Sequence, residues 1–359
     1  MTRVLFVSRE RIRLPLEGAQ RRKWDAIGAV CDFRVVAAGP GPQPRDERFR
    51  LAQPRPLLDG PLYYLALPCR VARELRAFGP EVAVVQGVHE LVLCLLARRL
   101  ARASVRLVLD VQGDWHHATR LYGSSLRRLL NPLNDAIAPV AVRRADAVKT
   151  VSTHTTALVR ALGVEPLATF PSYVDAAAFL AEPPAPLPQE PRAVFVGVLE
   201  RTKAFDTLAA AWPRVPNASL HVVGDGTLRD LVPKGAEWSR RLTAEEVAAA
   251  MDAAWLVCLP SRSEGLPRVA VEAACRGRAV VGGDRGGIPD VVQDGVNGLL
   301  VDPDDPQALA GALVRILADR ALAERLGAAA RRTGEEWAVG PDAYGARIAD
   351  LVDRTLALA

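Results

Sequence analysis

A chain of 359 residues exceeds what one hydrophobic core usually serves, so two domains of ordinary size are expected. Half of the residues are apolar, yet no apolar run approaches the roughly 20 residues needed to cross a bilayer. The start, Met1 to Ser8, reads as a first strand and not as a signal peptide, so a cytoplasmic protein is expected. The net charge of +5 conceals an asymmetry: residues 1–170 carry 26 Lys and Arg against 15 Asp and Glu, and residues 171–359 carry 20 against 26. The basic half fits an anionic partner, such as a phospholipid surface at the inner membrane face, a lipid phosphate or an acidic glycan. It fits a solvated, arginine-rich surface equally well. Nucleic acid is disfavoured, because the basic half shows no recognition motif and few aromatics interleave with its cations. Five widely spaced cysteines without a Cys-x-x-Cys pair suit reduced, buried thiols and give no zinc site.

Along the chain, short apolar runs alternate with helical periodicity, the pattern of βαβ units and a parallel sheet. In the first half strands are predicted at Val4–Ser8, Phe33–Ala38, Val82–Gln86, Leu107–Val111, Ala147–Ser152 and Ala168–Pro171, with helical segments such as Leu91–Arg102 and Thr153–Leu162 between them. The stretch Leu121–Leu133, with Arg143 and Arg144 beyond it, combines leucine and arginine. It reads either as a membrane-resting surface or as a core-facing helix limited by Pro132. Five prolines between Ala181 and Pro191 rule out helix or central strand, so residues 176–191 are expected to form an inter-domain linker. Strands restart at Ala193–Val198, Leu220–Gly224, Trp255–Pro260, Ala279–Gly282 and Gly298–Val301. A last helical pattern, Tyr344–Leu358, follows Gly340-Pro341 and is expected to cross back to the first domain. The predicted domains are therefore 1–175, 192–340 and a C-terminal helix within 341–359. Both are α/β, Rossmann-like and doubly wound, and ligands in such sheets bind at the carboxyl ends of the strands.

The run from Leu259 to Ala273 follows an apolar strand and opens a helix, with Glu264 and Glu272 inside it. Free N–H groups at that helix start, together with its dipole, favour a diphosphate or sugar oxygens. Eight positions of helix would separate the two carboxylates by about 12 Å along the axis, too far to act as an acid/base pair on one bond. Glu264 is assigned to sugar hydroxyls and Glu272 to the two hydroxyls of a ribose, which a carboxylate accepts in bidentate fashion.

The pair Glu264 and Glu272 resembles the Glu-x7-Glu signature of retaining glycosyltransferases of family 4. That family has the GT-B fold, two Rossmann-like domains facing a central cleft. Asp146 and Ser152 in Ala145–Ser152, Pro171–Asp175 ahead of Phe179, Val223-Gly224-Asp225-Gly226 and Gly286-Gly287-Ile288-Pro289-Asp290 resemble further landmarks of the family in the same order. The resemblance implies a metal-independent transferase without a cofactor. It would move a hexose or N-acetylhexosamine from a UDP- or GDP-linked donor to a hydroxyl acceptor, anionic or lipid-linked.

It also implies site residues. Gly224, Gly265 and Leu266 fall at the donor, as does Gly18, in a loop similar to the family's glycine loop. Lys203 fills the place of a diphosphate-clamping lysine. Val198 stands where the family has an arginine, and Arg201 is the nearest substitute. Gln112 occupies the place of a histidine near the reacting carbon, with His116, His117 and His89 as other histidines after strand ends. An epimerase of the same fold and a degenerate nucleotide-sugar-binding protein are the alternatives. A dehydrogenase is disfavoured, because no Gly-x-Gly-x-x-Gly opens the first helix.

Overall fold

In the computed structural model, residues 1–53, 59–116, 120–121 and 131–358 are described. The chain divides into two compact units. The first comprises residues 1–116, 126–173 and 340–359, and nearly all of the second is residues 174–339.

The sheet of the first unit contains β1 (Arg3–Arg11), β2 (Asp32–Ala38), β3 (Phe49–Ala52), β4 (Val82–Gln86), β5 (Arg106–Val111), β6 (Ala147–Thr150) and β7 (Ala168–Thr169), in the order β3-β2-β1-β4-β5-β6-β7. That of the second contains β8 (Arg192–Val196), β9 (Ser219–Val223), β10 (Glu237–Ser239), β11 (Leu256–Leu259), β12 (Ala279–Gly283) and β13 (Gly298–Val301), in the order β10-β9-β8-β11-β12-β13. All ladders are parallel. Each unit is thus a doubly wound sheet whose strand order reverses beside its first strand, between β1 and β4 and between β8 and β11.

Burial on both faces explains why the strands are apolar runs and not alternating patterns. In the second sheet Ala193, Phe195, Leu256 and Cys258 enter one core, while Val194, Val257 and Leu259 enter the core on the opposite face. In the first unit Trp24 of the helix Gly18–Val30 packs ring against ring with Phe6, Phe33 and Phe49 of the sheet.

The C-terminal helix Pro341–Leu356 belongs to the first unit. It lies so close to helix Gly18–Val30 that a Cβ on Gly345 would come within 2.7 Å of the Ala26 carbonyl. Arg106 Nη2 fixes its end by donating to the Leu358 carbonyl at 2.9 Å.

The stretch expected to be a linker is packed on the second unit. Val174, Ala176, Phe179 and Leu187 are buried in the cores of the second unit, and the proline-rich stretch is strapped onto that unit. Prolines offer carbonyls but no N–H, and two buried arginines and one exposed arginine supply the donors. Arg276 Nη1 donates to the Glu182 carbonyl at 2.8 Å, Arg278 Nη2 to Ala185 at 2.8 Å and Arg320 Nη2 to Leu187 at 2.7 Å. Asp252 balances Arg276 at 2.5 Å. All five cysteines are free, but Cys69 is exposed, against the expectation that all are buried. Among the described residues no helix is long and apolar enough to cross a membrane.

Candidate active site

The carboxyl ends of β8, β9 and β11 in the second unit are built backbone against backbone. Gly224 has φ +143°, and a Cβ there would lie 1.8 Å from the Gly197 carbonyl oxygen. No side chain fits between these two loops. The Gly197 N–H donates to the Val223 carbonyl at 2.9 Å, and Glu200 accepts both the N–H and the hydroxyl of Thr227 at 3.0 and 2.7 Å. This packing holds the 3₁₀ turn Arg201–Lys203 at the strand ends.

Lys203 reaches across to the loop after β11, where its Nζ lies 2.5 Å from Glu264 Oε1, with the two side chains only 20% and 11% exposed. Partial desolvation strengthens such a pair. Glu264 is held by its backbone as well, because its carbonyl accepts the Gly287 N–H at 2.9 Å. Gly286, at φ +62°, leaves room for that carbonyl, which a Cβ would approach to 2.3 Å. The glycine-rich landmark at 286–290 is therefore a support for Glu264.

Glu264 precedes the helix Arg268–Cys275, so the 12 Å estimate along a helix axis does not apply to the pair. Glu272 lies inside that helix, half-buried, and among the described residues its carboxylate has no hydrogen bond or ion pair. Burial raises its pKa above the ordinary carboxylate value, opposed only by Arg268 one turn before it. Gly265 and Leu266 form the half-buried turn between Glu264 and the helix.

Arg262, which motif reasoning missed, ties these loops together. Its guanidinium bonds Asp304 at 2.6 Å, Asp206 at 2.6 Å, Thr207 Oγ1 at 2.9 Å and the Arg201 carbonyl at 2.7 Å. Its place between Ser261 and Ser263, within the motif, was the available signal. Arg201 itself is 70% exposed and stands 4.0 Å from Asp206, and the side chain of Val198 is exposed.

In the first unit, Gly18 opens its helix at φ +49°, with nothing within 4 Å of a hypothetical Cβ. The backbone conformation, and not a close approach inside the unit, is what favours glycine there. Gln112 is engaged at both ends: its Nε2 donates to Asp110 Oδ2, and its Oε1 accepts from the Ser172 hydroxyl. Asp110 in turn lies 2.9 Å from the Nζ of Lys149, a lysine 1% exposed that sits over the Phe170 ring at 4.6 Å. Burial lowers the pKa of Lys149, and Asp110 works against that.

His116 is oriented by Asp114, Nδ1 to Oδ1 at 3.0 Å, and the same carboxylate stands 3.5 Å from His154 Nε2. His117 and most of Leu121–Leu133 lie outside the described residues. The landmark residues Asp146 and Ser152 have structural work. Asp146 accepts from Arg98 at 2.5 Å and from the Leu107 N–H at 2.7 Å, and Ser152 caps the helix Thr153–Arg160.

Comparison with known proteins matches residues 28–178 to the family described as Glycosyltransferase Family 4 and residues 190–319 to that described as Glycosyl transferases group 1. The chain is 32% identical over 189 residues to the GDP-mannose-dependent alpha-(1-6)-phosphatidylinositol monomannoside mannosyltransferase of Mycobacterium tuberculosis, covering 46% of this chain and 48% of that protein. It spans less than half the length of the curated relatives that it matches first. Among solved structures, sucrose-phosphate synthase from Thermosynechococcus elongatus superposes with a TM-score of 0.81 at 20% identity over all of both chains. HepE of Anabaena in complex with UDP-glucose superposes at 0.73 with 18% identity, over 98% of this chain and 100% of that one. With both halves matched and with its two parallel sheets, the chain belongs to the family 4 type of glycosyltransferases and has the GT-B fold.

Proposed function

We propose that the protein transfers a hexose or N-acetylhexosamine from a nucleotide diphosphate sugar to a hydroxyl acceptor, with retention of configuration and without a metal ion. The observation that carries this reading is the Lys203–Glu264 pair at 2.5 Å, with Glu272, which has no hydrogen bond or ion pair among the described residues, in the helix that follows. Lys203 is a fixed, partly desolvated cation for the charge that develops on a departing diphosphate, which stabilises it without reorganisation. Glu264 takes sugar hydroxyls, and Glu272, without a partner of its own, takes the ribose diol. The leaving phosphate oxygen accepts the acceptor's proton, so the reaction asks for no protein nucleophile. The mannosyltransferase relative is GDP-mannose-dependent by name and the HepE structure holds UDP-glucose, which supports a nucleotide-sugar donor and leaves two bases to compare.

A thermal-shift panel of UDP-, GDP- and ADP-sugars tests the reading, since a ligand stabilises the folded state by RT ln(1 + [L]/Kd). One base should raise Tm in the wild type and not in Glu272→Ala. No shift with any donor would overturn the donor assignment, and loss of turnover on adding chelator would overturn the metal-free one. Lys203→Ala should lower turnover by more than about tenfold.

A second reading, a nucleotide-sugar binder without turnover, is favoured by the exposed Val198 at the arginine place and by the internal engagement of Gln112. A donor-dependent Tm shift with no transfer to any hydroxyl acceptor would select it.

A further inference from the structure

The outer edge of the first sheet holds a cavity of about 510 Å³, walled by β3, the loop before it and the helix Asp59–Ala77. Four arginines line it, Arg45, Arg50, Arg70 and Arg73. A second cavity of about 290 Å³ shares Leu51, Gln53 and Arg70 with it.

The carboxylates of the wall do not balance these cations. Glu74 is buried and already divided between Arg34 Nη1 at 2.8 Å and Arg50 Nε at 3.0 Å. Asp46 is held by Arg48 at 2.9 Å, and Glu47 is exposed to solvent. Among the described residues Arg45 and Arg73 have no ion pair or hydrogen bond. Arg70 is half-buried in both walls. Its Nη2 donates to the Arg50 carbonyl, while its buried Nη1 has no partner. Its pKa is lowered by burial, against the pull of Tyr63 and of Glu74, a carboxylate that Arg34 and Arg50 already share.

We propose that this cavity binds a phosphomonoester group, carried by a small soluble molecule or by a lipid headgroup. Such a group carries a charge of about −1.5 to −2 near pH 7, and guanidinium forks match its oxygens bidentately. Arg45, Arg70 and Arg73 are the lining cations without an ion pair among the described residues, and Arg70 and Arg73, both from the helix Asp59–Ala77, are the two that meet it. The volume lies in the range of about 300–1,000 Å³ common for small-molecule sites, so the ligand extends beyond the phosphate. None of these residues belongs to the Lys203, Glu264 and Glu272 set, and the inference stands whether or not the proposed transfer is correct.

Calorimetry of the full chain with glycerol 3-phosphate, and co-sedimentation with phosphatidylcholine vesicles with and without phosphatidic acid, test it. Arg70→Gln and Arg73→Gln should each weaken the binding about tenfold or more, and Lys203→Ala should not. Saturable binding of glycerol 3-phosphate assigns a soluble ligand. Binding confined to vesicles with phosphatidic acid assigns the headgroup. Absence of both, or equal binding by Arg73→Gln and wild type, would overturn the site, as would binding lost only in Lys203→Ala. If Arg70→Gln does not fold, Arg73, exposed and without an ion pair among the described residues, decides the matter.

Discussion

The carboxyl ends of the two sheets are organised on different principles. In the second unit, loops meet first through glycine and carbonyl, Gly224 on Gly197 and Gly286 on Glu264, and the Arg262 and Lys203 side chains then tie them. In the first, the same end is knit by side chains, from Ser172 through Gln112 and Asp110 to the buried Lys149. A backbone contact demands one residue type at a fixed place in the chain, so it leaves a readable motif. A side-chain network can be assembled from several residue sets, so it does not.

The largest test of that contrast is Gly224→Ala. With φ at +143° and 1.8 Å of clearance, the variant should lose more than about 3 kcal/mol in urea unfolding. An unchanged midpoint would mean that the loops yield, and the backbone account would fail. Next, Lys149→Met leaves Asp110 buried with Gln112 as its sole remaining neighbour of the network, at an expected cost of about 3–5 kcal/mol. Adding Asp110→Asn should recover much of that loss. If the double variant is as unstable as the sum of the two singles, the pair is not the organising contact.

Glu272→Gln sharpens the functional side. A carboxyl whose folded-state pKa is raised is penalised when ionised, so above that raised pKa the charge destabilises the fold, and the penalty fades as pH falls through it. The amide should therefore stabilise the ligand-free protein at pH 7 by about 1 kcal/mol and weaken donor binding about tenfold. A variant less stable than wild type and equal in donor affinity would remove Glu272 from the ribose. The smallest effect is expected from Arg201→Ala. At 70% exposure and 4.0 Å from Asp206, its loss should change stability by no more than about 0.5 kcal/mol. A tenfold fall in turnover with unchanged stability would return Arg201 to the diphosphate.

Most of the fold was legible because parallel strands buried on both faces are continuous apolar runs. The two strands left unpredicted, β3 and β10, each lie at one edge of their sheet. Phe49-Arg50-Leu51-Ala52 and Glu237-Trp238-Ser239 are short and carry polar residues, and half-covered edges require no apolar run. On the site, Lys203 and Glu264 were both legible, but their contact across 61 positions was not. Arg262 was hidden for a similar reason. Its partners at Asp206, Thr207 and Asp304 lie far along the chain and become neighbours only when β8, β11 and β13 are assembled.

The sequence by itself determined the two parallel sheets, the order of the landmarks and the residue types at the second unit's strand ends, since periodicity and glycine placement are local properties of the chain. Tertiary structure alone decided which charges meet. It turned the proline-rich stretch from a spacer into a strap by aiming Arg276, Arg278 and Arg320 at its carbonyls. It also drew Gln112 into a network with Asp110 and Lys149, and among the described residues it left Glu272 without a hydrogen bond or ion pair. Pairing depends on distance in space, which no local pattern encodes.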